Sequence, residues 1–396
     1  MSTKRYSAIT KCAILSIIIV QYAAAATTPA LGAIAMGLTG VSEGLIKQIV
    51  SLPNLLMIPA ALLCGQLVRI MKKRTLLNIS MLLMLIGGVL PGFFGDIYFI
   101  LAMRAVFGIG YGFVFTLSIS WISDVFEGKE RADMYGFQAA IGALAGVVYQ
   151  LAGGSLAAIN WRYAFFSLFI MVPFIFLIFF KLPEPEKRPL EASESGVSKG
   201  KLSPMTWILS ILNLACMIFL FSYMTDLGIV IAVEQIANPA VVGTLMSTFV
   251  GGAFVCGLIY GKLDAILKKY TIAFQVLLIG VGMCIMLFSH SLTPFFVASF
   301  IFGMGFGGYN PCIFGMVANS ADKNAATLAF SVYLAINALG QFLSPIVLGF
   351  LKGLFGINVP RGGWMIAGPL LVISALVIVI VQAVKKPKAV PKAINE

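Results

Sequence analysis

The chain has 396 residues, of which 60% are hydrophobic and only 11% charged, and its mean hydropathy is +1.00. Soluble domains carry about 25% charged residues, so this composition excludes a water-facing surface over most of the chain and predicts an all-α polytopic membrane protein. The net charge of +12 could suggest nucleic acid, but the basic residues fall on alternate loops, which is the pattern of a protein oriented in a bilayer.

In chain order, the opening "MSTKRYSAITKCAILSIIIV" resembles a signal peptide, yet its apolar run continues too far and predicts a first helix instead. Uncharged runs then separate Lys11 from Glu43, Lys47 from Arg69, Arg74 from Asp96, Asp133 from Arg162 and Arg162 from Lys181, and a further crossing over residues 97–122 encloses Arg104. After the polar stretch 181–204, "KLPEPEKRPLEASESGVSKGKLSP", the runs resume. They separate Lys201 from Asp226, Glu234 from Lys262, Lys269 from Asp322 (broken by "SHSLTP"), Lys323 from Lys352 and Arg361 from Lys385. Each is near or above the roughly 20 residues that cross about 30 Å of hydrocarbon as a helix. The in/out alternation of a barrel strand is missing. The pattern predicts twelve helices, six in a half spanning residues 1–181 and six in a half spanning 204–396, with residues 182–203 as a surface linker. Glu184, Glu186, Glu191 and Glu194 there read as solvated charge.

If the first helix runs outward, 22 basic residues lie on the inner side and only Lys47, Arg162, Lys352 and Arg361 on the outer, with Arg104 inside the membrane. Basic residues mark cytoplasmic loops, so both termini are expected in the cytoplasm and the chain in the cell membrane. The six cysteines all lie in apolar segments without a C-x-x-C pair and read as packing residues. His290, the only histidine, falls in an outer loop. No nucleophile–base cluster or metal set is apparent, so neither an enzyme nor a cofactor or metal site is expected.

The halves repeat one another. "GQLVRIMKKRT" from Gly65 parallels "GKLDAILKKYT" from Gly261, and "FGIGYG" at 107–112 parallels "FGMGFG" at 302–307, at offsets of 196 and 195. Duplication of this kind belongs to secondary transporters, whose site lies near mid-membrane between the repeats. Gly303-x-Gly305-x-x-Gly308 has dinucleotide-turn spacing but no strand before it. What both copies share is Gly-x-x-x-Gly, Gly108 with Gly112 and Gly303 with Gly307, which lets helices approach closely.

These residues resemble the major facilitator superfamily over nearly the whole chain. "GQLVRIMKKR" keeps Gly65, Leu67, Lys73 and Arg74 of the family's loop signature, with Arg69 in its acidic slot and Lys72 at its second glycine. That acidic residue belongs, in the family, to a cytoplasmic charge network; Asp124 and Asp264 are the nearest acids that could replace it. Arg104 with Gly108 and Gly110 is similar to the helix 4 signature of the drug/proton antiporter branch, and "ERADMYG", with Arg131, is similar to the family's start of helix 5. Tyr149-Gln150 stands where that branch carries Gly-Pro. The resemblance implies alternating access between the halves, with Gly65, Arg69, Arg74, Gly108, Asp124, Arg131, Gly303 and Gly307 as conformational residues.

Arg104 is the sharpest single residue, because an arginine in mid-helix costs about 2.5–3.5 kcal/mol on insertion scales. Arg104, Gly108, Tyr111, Phe115 and Ser118 share a helix face that is expected to line a central cavity. Asp226, one turn from Tyr223, is the expected proton carrier with Arg104, since a carboxyl removed from water can hold and release a proton. Gln21 and Tyr22 in helix 1, Gln138 and Tyr149 in helix 5, Tyr223 in helix 7, Tyr309 and Asn310 in helix 10, and Tyr333, Asn337 and Gln341 in helix 11 are further candidate substrate contacts. The expected partners are a small solute, a proton and lipid, for a monomer. Resemblance favours proton-linked export of drug-like amphipaths. Arg104, the missing helix 1 acid and the absent Gly-Pro favour uptake of a small organic anion by symport. A polytopic enzyme or sensor is the remaining class.

Overall fold

The computed structural model describes residues 8–184, 202–320 and 325–384. Most of the expected linker, Lys4, Arg5, Lys323 and the tail lysines lie outside the described residues. Among those described, eleven segments are long and apolar enough to cross a membrane and no strand occurs. The first six are α1 (Ala8–Gly37), α2 (Glu43–Ile70), α3 (Lys73–Gly92), α4 (Ile97–Val125), α5 (Gly128–Ile159) and α6 (Tyr163–Lys181). After residues 185–201 come α7 (Pro204–Val233), α8 (Pro239–Leu267), α9 (Thr271–Phe288), α10 (Leu292–Ser320), α11 (Ala326–Leu354) and α12 (Gly362–Val384).

Helices α8 and α9 form one apolar segment of 50 residues, but they are not one rod. A straight helix of that length would reach about 75 Å. Lys268 instead adopts φ 51, and a 3₁₀ turn, Lys268–Tyr270, separates the two. Starts elsewhere follow from local chemistry. Ser42, Asp96, Ser203 and Asn238 cap α2, α4, α7 and α8 through their side-chain oxygens, and Pro204 and Pro239 occupy first-turn positions that need no amide donor.

The connectors form two sets. At one end, called here the Lys47 end, Arg361 reaches Glu234 and the carbonyls of Met286 and Leu287. At the opposite end the backbone amides of Lys73 and Arg74 donate to the Glu184 carboxylate, and Lys269 donates to the Gln382 carbonyl. One buried apolar cluster draws on residues 13–182 and another on residues 209–375. A third joins α1, α2, α4, α5 and α6 to Ile229 of α7. Across the two groups α5 packs along α8, α2 along α11, and the end of α1 along α7.

The repeated glycines sit at the tightest contacts. A methyl built at Gly108 would lie 2.7 Å from the Pro53 carbonyl oxygen, one at Gly112 2.6 Å from that of Met57, and one at Gly110 2.5 Å from that of Ser80. Thus α4 presses α2 on one side and α3 on the other. In the second group, methyls at Gly303 and Gly307 would overlap the carbonyl oxygens of Phe249 and Ala253 on α8, and one at Gly305 would meet Ile279 of α9 at 2.6 Å. Gly308, which completes the nucleotide-like spacing, leaves room for the Gln275 amide. The same sandwich is built twice.

Gly108→Ala and Gly303→Ala should each lower stability by about 1–3 kcal/mol, since backbone cannot yield as a side chain can. Gly251→Ala, where a methyl meets nothing within 4 Å, should be neutral or stabilising. Thermal unfolding in detergent checks this; equal losses at all three sites would show that the packing is not what demands glycine.

Candidate functional site

Near its middle α1 leaves regular α geometry. Residues Tyr22–Ala30 form a 3₁₀ segment containing Pro29, far longer than the usual three or four residues of such a run and a frequent mark of a functional hinge. The first helix of the second group breaks too, at Phe221. Between these irregular stretches lies a cavity of about 360 Å³. Its polar lining is Gln21, Tyr22, Thr28, Asn54, Arg104, Tyr111, Gln150 and Gln341, and Phe115, Phe221, Met224 and Phe306 supply much of the apolar wall. Both groups of helices contribute.

Arg104 is 1% exposed. Its placement follows from a proline. Pro53 has no amide hydrogen, so the carbonyl of Ile49, four residues earlier on α2, lacks its helical donor. Arg104 Nε donates to that carbonyl at 2.8 Å. The guanidinium carbon stands 4.3 Å from the centre of the Phe107 ring, and Nη1 is buried with no acceptor. Among the described residues that line the cavity, Arg104 is the only charged one.

The predicted face of α4 is only partly wall. Arg104, Tyr111 and Phe115 line the cavity, Gly108 packs on Pro53, and the Ser118 hydroxyl donates to Gln21 Oε1 at 2.9 Å. Gln21, Tyr22 and Gln341 also line it, whereas the other expected contacts do not. Gln138 lies farther along α5, half-buried. Tyr149 is buried with its hydroxyl unpartnered, and its neighbour Gln150 is the residue that faces the cavity. Tyr223 stacks on Phe302 at 4.4 Å. Tyr309 and Tyr333 both donate to Asn213 Oδ1, at 2.9 and 3.3 Å. Asn310 donates to its own helix at Phe306, and Asn337 accepts from Gln341 at 2.8 Å. Helical spacing names a stripe but not the partner that captures it, so Asn213, Asn54 and Gln150 were missed. Pro53 was the available signal for the Arg104 contact.

Asp226 is not a helix-end residue in water. It is 1% exposed, and Lys47 Nζ, 5% exposed, lies 2.5 Å from its Oδ1. Thr225 donates to the same oxygen at 3.1 Å, while Oδ2 has no partner and rests against Gly363, where a side chain would collide with it. Lys47 also pairs with Glu43 at 2.5 Å, and Lys352 approaches Glu43 at 3.4 Å. Lys47 is therefore not a loop cation as its spacing suggested. Its carboxylate partner comes from α7, 179 positions away, beyond any local pattern.

At the opposite end, Lys73 pairs with Asp124 and donates to Ser120 at 2.7 Å. Arg74 donates to the Phe179 carbonyl. Arg131 holds the carbonyls of Phe126 and Ser123 at 2.7 and 3.1 Å, and Lys11 pairs with Glu130 at 2.6 Å. Arg69 is exposed and Gly65 faces open space. All these pairs stay within the first group, whereas Lys47–Asp226 and Lys352–Glu43 join the two groups at the Lys47 end.

Apolar helices of membrane-crossing length thus pack in two groups around a polar cavity. The family model of the Major Facilitator Superfamily matches residues 13–234 and 209–396, and the chain belongs to that superfamily. The quinolone resistance protein NorA of Staphylococcus aureus is 20% identical over 361 residues, 89% of this chain and 90% of that one. The benzoate transport protein of Acinetobacter baylyi is 27% identical over 206 residues, 48% of this chain and 42% of that protein, so the chain matches less than half the length of that relative. A bacterial homologue of the human lysosomal transporter Spinster, solved inward-facing and unoccupied, superposes with TM-score 0.72 at 15% identity, covering 96% of each chain.

Removing one member of a buried ion pair strands the other, typically at about 3–5 kcal/mol. Lys47→Met should therefore destabilise strongly, and Lys47→Met combined with Asp226→Leu should recover most of the loss. A double-mutant cycle of thermal unfolding measures the coupling; additive losses would mean that the two groups do not interact.

Proposed function

We propose that the chain is a secondary active transporter that moves a small organic solute through the central cavity by rocking residues 1–181 against residues 204–396. The observation that carries this reading is a cavity lined from both groups, which are joined at one end by the buried Lys47–Asp226 pair and by Lys352 with Glu43. The break at Lys268 supports counting α8 and α9 as separate crossings, twelve in all, with both termini on one face. The excess of basic residues on that face supports its being cytoplasmic and the membrane being the cell membrane. The Lys47 end is then the outer gate.

Proton coupling follows from an asymmetry in the gate. When the Lys47 end opens, Lys47 keeps Glu43, one turn away on its own helix. Asp226 keeps only the Thr225 hydroxyl. Asp226 therefore loses its cation whenever the gate opens, and this makes it the proposed carrier of the coupling proton. On this reading Gly108, Gly303 and Gly307 serve the rocking motion through close packing and Arg74, Asp124 and Arg131 through the connectors, whereas Gly65, facing open space, and Arg69, exposed, offer neither. Two directions have support. Similarity to a quinolone resistance protein favours export of amphipathic compounds, and similarity to a benzoate transport protein favours movement of an organic anion.

In proteoliposomes with an imposed pH gradient, the wild type should accumulate solute in one direction only. Asp226→Asn should abolish the response to the gradient while leaving solute exchange down its own gradient within about a factor of ten. Undiminished gradient dependence in Asp226→Asn would remove the coupling role, and no gradient-driven flux of any solute in the wild type would remove the transporter reading.

A further inference from the structure

We infer that the transported solute is a small aromatic monocarboxylate, or a close isostere, whose carboxylate binds the free edge of the Arg104 guanidinium. The inference rests on the transporter reading and adds the chemical class of its cargo.

Charge is the first argument. A buried arginine needs an anion or several acceptors, and among the described residues Arg104 has one acceptor, Ile49 O, on Nε alone. Nη1 is buried and unpartnered, and the Phe107 face supplies only partial compensation. Among the described residues, no carboxylate lines the cavity. Asp226, on the same helix as Phe221 and Met224, is already held by Lys47. The site thus has one net positive charge and no counter-ion of its own. A monoanion neutralises it, a dianion overcompensates, and a cation meets repulsion with nothing to offset it. An arginine fork that still has free N–H groups is suited to a planar carboxylate.

Shape is the second argument. The cavity of about 360 Å³ lies at the small end of the roughly 300–1,000 Å³ common for small-molecule sites, which excludes peptides and large amphipaths from full enclosure. Beyond Arg104 the wall is rich in rings. Tyr111 and Phe115 stand 6.4 Å apart on α4, with Tyr22, Phe221 and Phe306 as further rings in the lining. Such a wall accepts a flat apolar body by edge and face contacts. Asn54, on the same helix as Pro53 and the Ile49 carbonyl, adds an amide to the lining.

The test uses the purified full-length protein and three probes of nearly equal shape, 3-phenylpropanoate, 3-phenylpropanamide and 3-phenylpropylamine. Thermal shift and equilibrium binding should show the carboxylate binding at least about tenfold tighter than the amide, as expected for a charge-assisted contact, and the amine not at all. Arg104→Gln should erase the preference, and Arg104→Lys should restore part of it. Binding of amide or amine as tight as the carboxylate, or response to none of the three, overturns the inference. The wild-type comparison decides it even if Arg104→Gln fails to fold. Flux separates the two proposals. Arg104-dependent carboxylate binding without gradient-driven flux upholds the ligand class and refutes transport; gradient-driven flux of the amine upholds transport and refutes the ligand class.

Discussion

Hydrocarbon offers no water to a charge, so every ionised group inside the bundle must be answered by the protein or by something it binds. That constraint is most severe at Lys47 and Asp226, both almost fully buried. Taking each from water carries an effective penalty of several kcal/mol, and the mutual attraction offsets it only while the two groups of helices touch. The ion pair therefore makes closure at this end a condition of keeping both charges.

Arg104 obeys the same constraint less completely. Pro53 takes away an amide hydrogen, the Ile49 carbonyl is left without a donor, and Arg104 fills the vacancy with Nε. The contact ties α4 to α2 at the height where Gly108 brings the two backbones together over Pro53. Close packing and buried charge are thus coupled: without the glycine the arginine could not reach the carbonyl, and without the proline the carbonyl would not need it. Nη1 of the same guanidinium is left without an acceptor.

Much of this was legible from the chain. Long uncharged runs forecast the helices because length and apolarity decide membrane crossing almost alone. The repeated Gly-x-Gly-x-Gly forecast close packing, and the structure adds which helices it serves. Of the expected α4 face, Arg104, Tyr111 and Phe115 line the cavity, while Gly108 packs on Pro53 and Ser118 bonds to Gln21, because helical periodicity is a local property. The stripes of Tyr309, Tyr333 and Asn337 were equally regular, yet their polar atoms turn to Asn213 and Gln341 rather than to the cavity. Periodicity says that side chains share a face, not whether that face meets a void or another helix.

Family membership, an all-helical membrane-crossing build and the presence of an arginine inside the membrane were determined by the sequence itself, since each depends on composition and spacing along one helix. Three things depended on the tertiary structure. They are the pairing of Lys47 with Asp226, the replacement of Tyr149 by Gln150 at the cavity wall, and the capture of the Ile49 carbonyl by Arg104. Each joins residues on different helices or turns a helix by one position about its axis, and the physical cause is packing between helices, which no pattern along a single helix encodes.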